Sequence, residues 1–261
     1  MDNAHPTALS LLQKVERILD ALAADGSTMG LSQLARTSGV PKSSVHRICA
    51  ELIEWGVVER NGDAFRLGTR LFDLGARVPT RRRFRDTALP FMEELLVATG
   101  QSIHLAVPLP DVVLYVDKLT TRSSTPTPSS VTSTAPFHAS ATGKAMLAFG
   151  DPDWTMRILG GLLPAVTSKT ITDPVALSQD LARARSLGYS LEQGELVDGY
   201  ASIAAPLIGL GGAVVGAISV TTKVEHLNPD SAALVRTTAA SISQRLGAPS
   251  VPAKARPGSA A

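Results

Sequence analysis

The stretch Leu31 to Trp55, LSQLARTSGVPKSSVHRICAELIEW, constrains the fold more than any other part of the chain. Leu31, Leu34 and Ala35 form one apolar stripe, and Val45, Ile48, Cys49, Leu52 and Ile53 form a second at helical spacing. Between the stripes, Gly39 suits the left-handed position that ends a helix. Pro41 suits the first turn of the next helix, where proline has no N–H to lose. The spacing thus predicts two short helices joined by a tight turn around one shared core. Outward positions at the start of the second helix are Lys42, Ser43, Ser44, His46 and Arg47, with no carboxylate before Glu51. Donors of this kind reach phosphates and base edges, the chemistry of a recognition helix in the major groove of double-stranded DNA. A solvated helical hairpin would carry the same pattern, so the flanks decide.

Val57 to Leu67, VVERNGDAFRL, reads as two β-prone runs around Asn61-Gly62, a pair that favours the positive φ of a tight hairpin. A hairpin directly after a recognition helix is a wing, and Arg60 and Arg66 on its two arms are candidates for backbone or minor-groove contact. Ser10 to Asp25 supplies the first helix, with Ser10 and Gln13 spaced as a capping box. Gly68 to Val78 is a further helical run (Leu71, Phe72, Leu74) that Pro79 stops. Arg81, Arg82, Arg83 and Arg85 then read either as a solvated linker or as a phosphate-contacting hinge.

Charge agrees with a DNA-binding first part. Residues 1 to 85 hold 13 Lys+Arg against 9 Asp+Glu, or +4, and the remainder holds 12 against 14, or −2. That sign is the one attraction to phosphates requires. Aromatics are only 4% of the chain, which disfavours stacked binding of single strands. The single Cys49 excludes an intrachain disulfide. No apolar run approaches a membrane span and the start lacks the regions of a signal peptide, so a cytoplasmic protein without membrane contact is expected.

From Gln101 the texture changes. After a helical pattern from Phe84 to Thr99, in which Pro90 fits the start of a new segment, Ser102 to Val107 and Val112 to Lys118 form a predicted hairpin. Thr120 to Thr134 reads as a loop with a short edge strand near Val131. Helices follow at about 139–149, 152–159 and 174–187, strands at 189–194, 202–208 and 213–221, and a last helix at 229–246. Clustered rather than alternating elements imply an α+β domain with an antiparallel sheet. In the last strand Ser219 and Thr221 share one face while Ile218 and Val220 share the other, which places two hydroxyls on one side. The segment from Ala248 has no periodicity and is expected to be disordered.

Several chemistries fail on the residues. Ala141-Thr142-Gly143-Lys144 lacks the upstream glycine and the following hydroxyl of a phosphate loop, and Gly209-Leu210-Gly211 lacks the third glycine of a dinucleotide fingerprint. The histidines, at 5, 46, 104, 138 and 226, have no metal-ligand spacing, and no nucleophile elbow exists. No catalytic residue, cofactor or metal is expected.

Four blocks in order carry a family resemblance: LSQLARTSGVPKSSVHRICAELIEWGVVER, LYVDKL, PFHASATGKAMLA and GYSLEQGELVDGYASIAAPLIGLGGAVVGAISV. Over roughly residues 9 to 247 the chain resembles the IclR family of bacterial transcription regulators. The resemblance implies a winged helix-turn-helix domain (8–68), a linker helix (69–83) in the dimer contact and a GAF-like α/β effector-binding domain (84–247), with a tail at 248–261. It also implies a homodimer or homotetramer on operator DNA, and DNA contacts at Lys42, Ser43, Ser44, His46 and Arg47. By the same resemblance the effector contacts fall on Ala141, Thr142, Gly143 and Met146, then Glu192, then Ser202, Ser219 and Thr221. Two of these depart from the family's habit: Glu192 stands where Asp is commoner and Ser202 where Cys is common. A glycine that often precedes the PFHA-like block is also absent from Ser133 to Ala135. The function expected is a ligand-responsive transcription regulator, a repressor of a catabolic or uptake operon, whose effector is a small organic acid or aromatic compound. The alternatives are an enzyme or metabolite-binding protein built on the C-terminal domain, and a DNA-binding protein with no effector.

Overall fold

The computed structural model describes residues 9–25, 28–76, 79–122, 124 and 126–248. The chain divides into two compact units, residues 1–82 and 83–261.

The first unit runs α1 (Leu11–Asp25), β1 (Met29–Gly30), α2 (Leu31–Ser38), α3 (Lys42–Glu54), β2 (Val58–Asn61), β3 (Ala64–Leu67) and α4 (Thr69–Ala76). The capping box forms: Ser10 N–H donates to Gln13 Oε1 at 2.9 Å and Gln13 N–H to Ser10 Oγ at 3.2 Å. Gly39 ends α2 with φ +65°. Pro41 sits one place earlier than the spacing predicts, as the cap of α3, because its carbonyl already accepts the first helical bond, from Val45 N–H. Ile18, Leu22, Leu34, Val45, Ile48, Cys49, Leu52, Val58 and Phe65 make the core. Burial pushes the Cys49 thiol up to about 11, so it packs as a small apolar group. The hairpin loop is Gly62-Asp63, with Asn61 still paired to Ala64, and only Gly62 takes a positive φ, +61°. Two residues of β1 add a third strand, in the order β1-β3-β2. So short a strand has no periodicity to betray it.

Two prolines behave differently from the sequence expectation. Pro79 opens the helix α5 (Pro79–Thr99), and Pro90 lies inside α5 on its exposed side. An internal proline costs a helix about 3 kcal/mol. The stripe Phe84, Ala88, Met92 and Leu95 is continuous across it, however, and all four side chains are buried. Burial of that stripe, at roughly 1.5–3 kcal/mol for each large side chain, outweighs the lost bond. The side chains of Arg81 and Arg82, and the tail beyond Ala248, lie outside the described residues. Arg85 does not face solvent as a free cation: its Nε is 2.7 Å from Asp117 Oδ2.

The second unit is one six-stranded antiparallel sheet with helices on both faces. Its strands are β4 (Ser102–Pro108), β5 (Val112–Leu119), β6 (Thr134–Pro136), β7 (Ser190–Gln193), β8 (Tyr200–Ile208) and β9 (Val214–Lys223), in the order β6-β5-β4-β9-β8-β7. The edge strand expected near Val131 begins three residues later, after Thr132 turns the chain with φ +72°. Alternation sorts the side chains. Ile103, Leu105, Val107, Ile203, Ala205, Leu207, Ile218 and Val220 face α5 and α9 (Ser231–Arg245). Ala106, Tyr115, Ala204 and Ala217 face α6 (Ala141–Phe149) and α8 (Pro174–Leu187), with α7 (Pro152–Leu159) alongside. The α+β reading, a winged helix-turn-helix followed by a GAF-like domain with an antiparallel sheet, is the architecture observed.

Candidate DNA interface and effector site

In the first unit α3 buries Val45, Ile48, Cys49 and Leu52, which turns Lys42, Ser43, His46 and Arg47 outward; Ser44 is half-buried. None of these five side chains has a hydrogen bond or ion pair among the described residues, so their donors are available to phosphates and bases. The wing arginines are engaged already. Arg66 holds Glu59 through Nε (3.1 Å) and Nη2 (2.9 Å), and Glu59 also caps Thr69 N–H. Arg60 lies over the Phe65 ring at 5.5 Å. An exposed ion pair of this kind is worth no more than about 1 kcal/mol, so phosphate can compete for Arg66.

In the second unit the face toward α6 carries a polar row. Register aligns Glu192, Ser202, Thr221 and Ser102 across β7, β8, β9 and β4, and the next row aligns Ser190, Ala204, Ser219 and His104. Ser202 Oγ lies 2.9 Å from Thr221 Oγ1, which lies 3.3 Å from His104 Nδ1. The other imidazole nitrogen, Nε2, is 2.7 Å from Ser129 Oγ. Burial drives the His104 pKa down to about 3, with the nearby Lys118 ammonium adding to the fall, so this imidazole is neutral at physiological pH.

Glu192 is buried and its Oε2 accepts from Glu195 N–H (3.0 Å) and Leu196 N–H (3.4 Å). Burial pushes its pKa up to about 7, against those backbone donors and the Ser202 hydroxyl, while the Glu195 carboxylate adds to the rise. Tyr115, beside His104 with ring centroids 5.5 Å apart, has its phenol pushed up to about 12 by burial. The Thr142 hydroxyl is near enough to draw the phenol back, and Glu192 near enough to raise it further. Thr142 Oγ1 is itself fully buried and without a hydrogen-bond partner of good geometry.

The remaining expected contacts pack rather than point. Ala141 is in the core and its carbonyl accepts from Ser190 Oγ at 2.6 Å. Gly143 is required because a Cβ there would collide with the Phe137 carbonyl, and Met146 is wholly buried. The structure therefore brings together Thr142, Glu192, Ser202, Ser219 and Thr221, and adds His104, Tyr115 and Ser129, which the sequence reading passed over. His104 had a signal, since it alternates with Ile103 and Leu105; Ser129 in a Ser/Thr/Pro-rich loop had none. Lys144 was also missed. Its Nζ is wholly buried and holds Asp180 Oδ2 (2.9 Å) and Glu195 Oε1 (2.7 Å), which ties α6 to α8 and to the β7–β8 loop.

Among the described residues no group of three or more His, Cys, Asp or Glu could hold a metal, and no helix is long and apolar enough to cross a membrane. An outward helix of free donors beside a wing, joined in one chain to a sheet that buries polar groups with spare capacity, defines a DNA-binding transcription regulator with a sensory domain.

The comparisons with known proteins agree. An IclR helix-turn-helix domain model matches residues 11–62, and the bacterial transcriptional regulator IclR C-terminal model matches residues 77–244. The chain belongs to the IclR family. It is 32% identical over 245 residues to the glycerol operon regulatory protein of Streptomyces griseus, covering 91% of this chain and 96% of that one. It is 30% identical over 254 residues to the transcriptional repressor AllR of Escherichia coli, with 94% of each chain covered. Among solved structures, an IclR homologue from Microbacterium hydrocarbonoxydans complexed with 4-hydroxybenzoate superposes with a TM-score of 0.83. That pair is 31% identical, over 91% of this chain and 99% of the other. The relatives are regulators, and the chain is a regulator rather than an enzyme.

Two predictions follow from this geometry. Arg47→Ala removes an unpaired guanidinium one turn into α3, and loss of a base-edge contact costs about 1–3 kcal/mol of discrimination. Operator affinity should fall more than affinity for random DNA at the same salt; equal losses would make Arg47 a phosphate contact only. The second concerns Glu192, whose folded pKa of about 7 lies above its ordinary 4.5. As pH rises, the unfolded chain releases this proton first, so the group's contribution to stability is complete below about 4.5 and is lost through 7. Glu192→Gln should therefore gain on the parent between pH 5 and pH 8, by about 3 kcal/mol at most. Thermal melting at the two pH values measures it, and a constant gap in Tm rejects it.

Proposed function

We propose that the chain is an effector-responsive repressor that acts in the cytoplasm, binds operator DNA as a homodimer or homotetramer, and controls a catabolic or uptake operon. In this reading the winged domain (8–68) reads the operator through Lys42, Ser43, Ser44, His46 and Arg47, with Arg60 and Arg66 on the flanking backbone. A linker (69–83) makes the subunit contact, and the effector domain (84–247) takes a small organic or aromatic acid at Thr142, Glu192, Ser202, Ser219 and Thr221.

Thr142 Oγ1 is the observation that carries the effector site. With no well-formed bond to the neighbouring Tyr115 phenol, this buried hydroxyl is under-satisfied at a cost of up to roughly 1–3 kcal/mol, which a ligand oxygen would recover. The neighbouring hydroxyls are donors of the right kind for a carboxylate. Glu192 fits as well, because a carboxyl titrating near 7 can keep its proton and donate to a ligand carboxylate instead of repelling it. The relatives support the class: AllR is named a repressor, and 4-hydroxybenzoate, bound to the Microbacterium homologue, is an aromatic acid.

Ser219→Val with Thr221→Val keeps strand propensity and removes two donors. Fluorescence anisotropy with labelled operator DNA, with and without a panel of small acids, should show operator binding retained and the response to acid abolished. A double variant that responds as the parent does would move the site off this face. The linker is tested separately. On α4, Leu71 packs against the core of its own unit, whereas Phe72 is 78% and Leu74 39% exposed. One α3 reads too few base pairs for genomic selectivity, so two copies are needed. Phe72→Asp with Leu74→Asp should give monomers by sedimentation and at least a ten-fold weaker operator complex; a variant that sediments as the parent does places the contact elsewhere.

A further inference from the structure

The segment 126–133, between β5 and β6, lies against the same face of the sheet as the polar row. Its attachments reach three strands. Lys118 Nζ on β5 donates to the carbonyls of Thr127 (2.9 Å) and Ser129 (2.6 Å). His104 Nε2 on β4 meets Ser129 Oγ at 2.7 Å and Thr127 Oγ1 at 3.4 Å. Tyr200 on β8 donates its hydroxyl to the Pro126 carbonyl at 2.7 Å. Lys118, His104 and Tyr200 share the face of Ser202 and Thr221 by register.

Two features separate this segment from an ordinary packed loop. Residues 126–131 reach the sheet only through hydrogen bonds to its polar side chains, whereas Thr132 and Ser133 are already backbone-paired to Tyr115 on β5 and form the fixed end; no side chain of the segment belongs to either apolar core of the unit. The contacts to His104 and Tyr200 are each worth only about 1 kcal/mol net and the two charge-assisted bonds from Lys118 roughly 1.5–3 each, and none is shared with the strand ladder, so the segment can release without disturbing the sheet. The Ser129 hydroxyl, moreover, ends the chain Ser202–Thr221–His104 on an imidazole that must stay neutral and hydrogen-bonded.

We propose that residues 126–131 are a releasable strap over the effector site, in which the Ser129 hydroxyl occupies on His104 the place that a ligand hydroxyl takes when the strap opens. The inference rests on the effector reading of the polar row and adds its means of access. It also names a ligand class, a small acid that carries a hydroxyl, because only a group that both donates and accepts replaces Ser129 on either tautomer of a neutral imidazole.

The test uses the full chain without effector, so it succeeds or fails whether or not the row binds an acid. Amide hydrogen exchange is followed by mass spectrometry in the parent, in Tyr200→Phe, and in Tyr200→Phe with Ser129→Ala. Exchange within 126–131 should quicken at least three-fold in the single variant and ten-fold in the double, with β4, β8 and β9 unchanged. Opening also admits water to His104, whose imidazole resonances should then titrate closer to the ordinary histidine range than in the parent. Unchanged exchange in the segment overturns the strap, as does a rise shared equally by the three strands in the single variant, which removes only one hydroxyl. Unchanged His104 titration in a double variant whose segment does exchange faster overturns the role given to Ser129.

Discussion

The second unit depends on the strict alternation of β4, β8 and β9. Each strand gives every other residue to an aliphatic layer against α5 and α9, and the layer built from Ile103, Leu105, Ile203, Leu207, Ile218 and Val220 is nearly free of polar atoms. With the fold secured on that side, the opposite side can use small residues, Ala106, Ala204 and Ala217, to bring α6 close, and can spend the remaining positions on Ser202, Ser219, Thr221 and His104. Each of those polar groups is a destabilising choice by itself. The chain tolerates them because the other face does not need their help.

How α6 is held shows the same division of labour. Gly143 lets the helix approach the Phe137 backbone, and Ser140 caps it through Gly143 N–H at 3.1 Å. Lys144 then fastens it to Asp180 and Glu195. Ion pairs this deep seldom add net stability over apolar residues of equal size, and their attested value is to fix one arrangement among several. Here the arrangement fixed is that of the β7–β8 loop, whose Glu195 N–H group positions the Glu192 carboxyl.

Much of this was legible in the amino-acid sequence because periodicity reports which side of an element is buried. The stripes of α2 and α3 and the shared face of Ser219 and Thr221 rest on spacing alone, and the wing rests on the turn chemistry of Asn61-Gly62, one residue off the Gly62-Asp63 loop observed. What spacing cannot report is proximity between segments far apart in the chain. Nothing local says that Lys144 meets Glu195, or that Ser129 reaches His104, since both depend on strand order and register. Pro90 misled for a related reason: local preference for a helix start yields to packing that only the assembled unit defines. Arg66 is a milder case, because its cross-strand neighbour Glu59 follows only once the hairpin register is known.

Asp117 and Lys118 are consecutive on β5 and point to opposite sides of it. One anchors α5 through Arg85, and the other grips the 126–133 carbonyls. A single peptide unit is thus loaded from both surfaces of the sheet, in the manner of a rivet through a plate. Any displacement of β5 at this point is transmitted mechanically to both sides together, over the thickness of one strand and without an intervening chain of side chains.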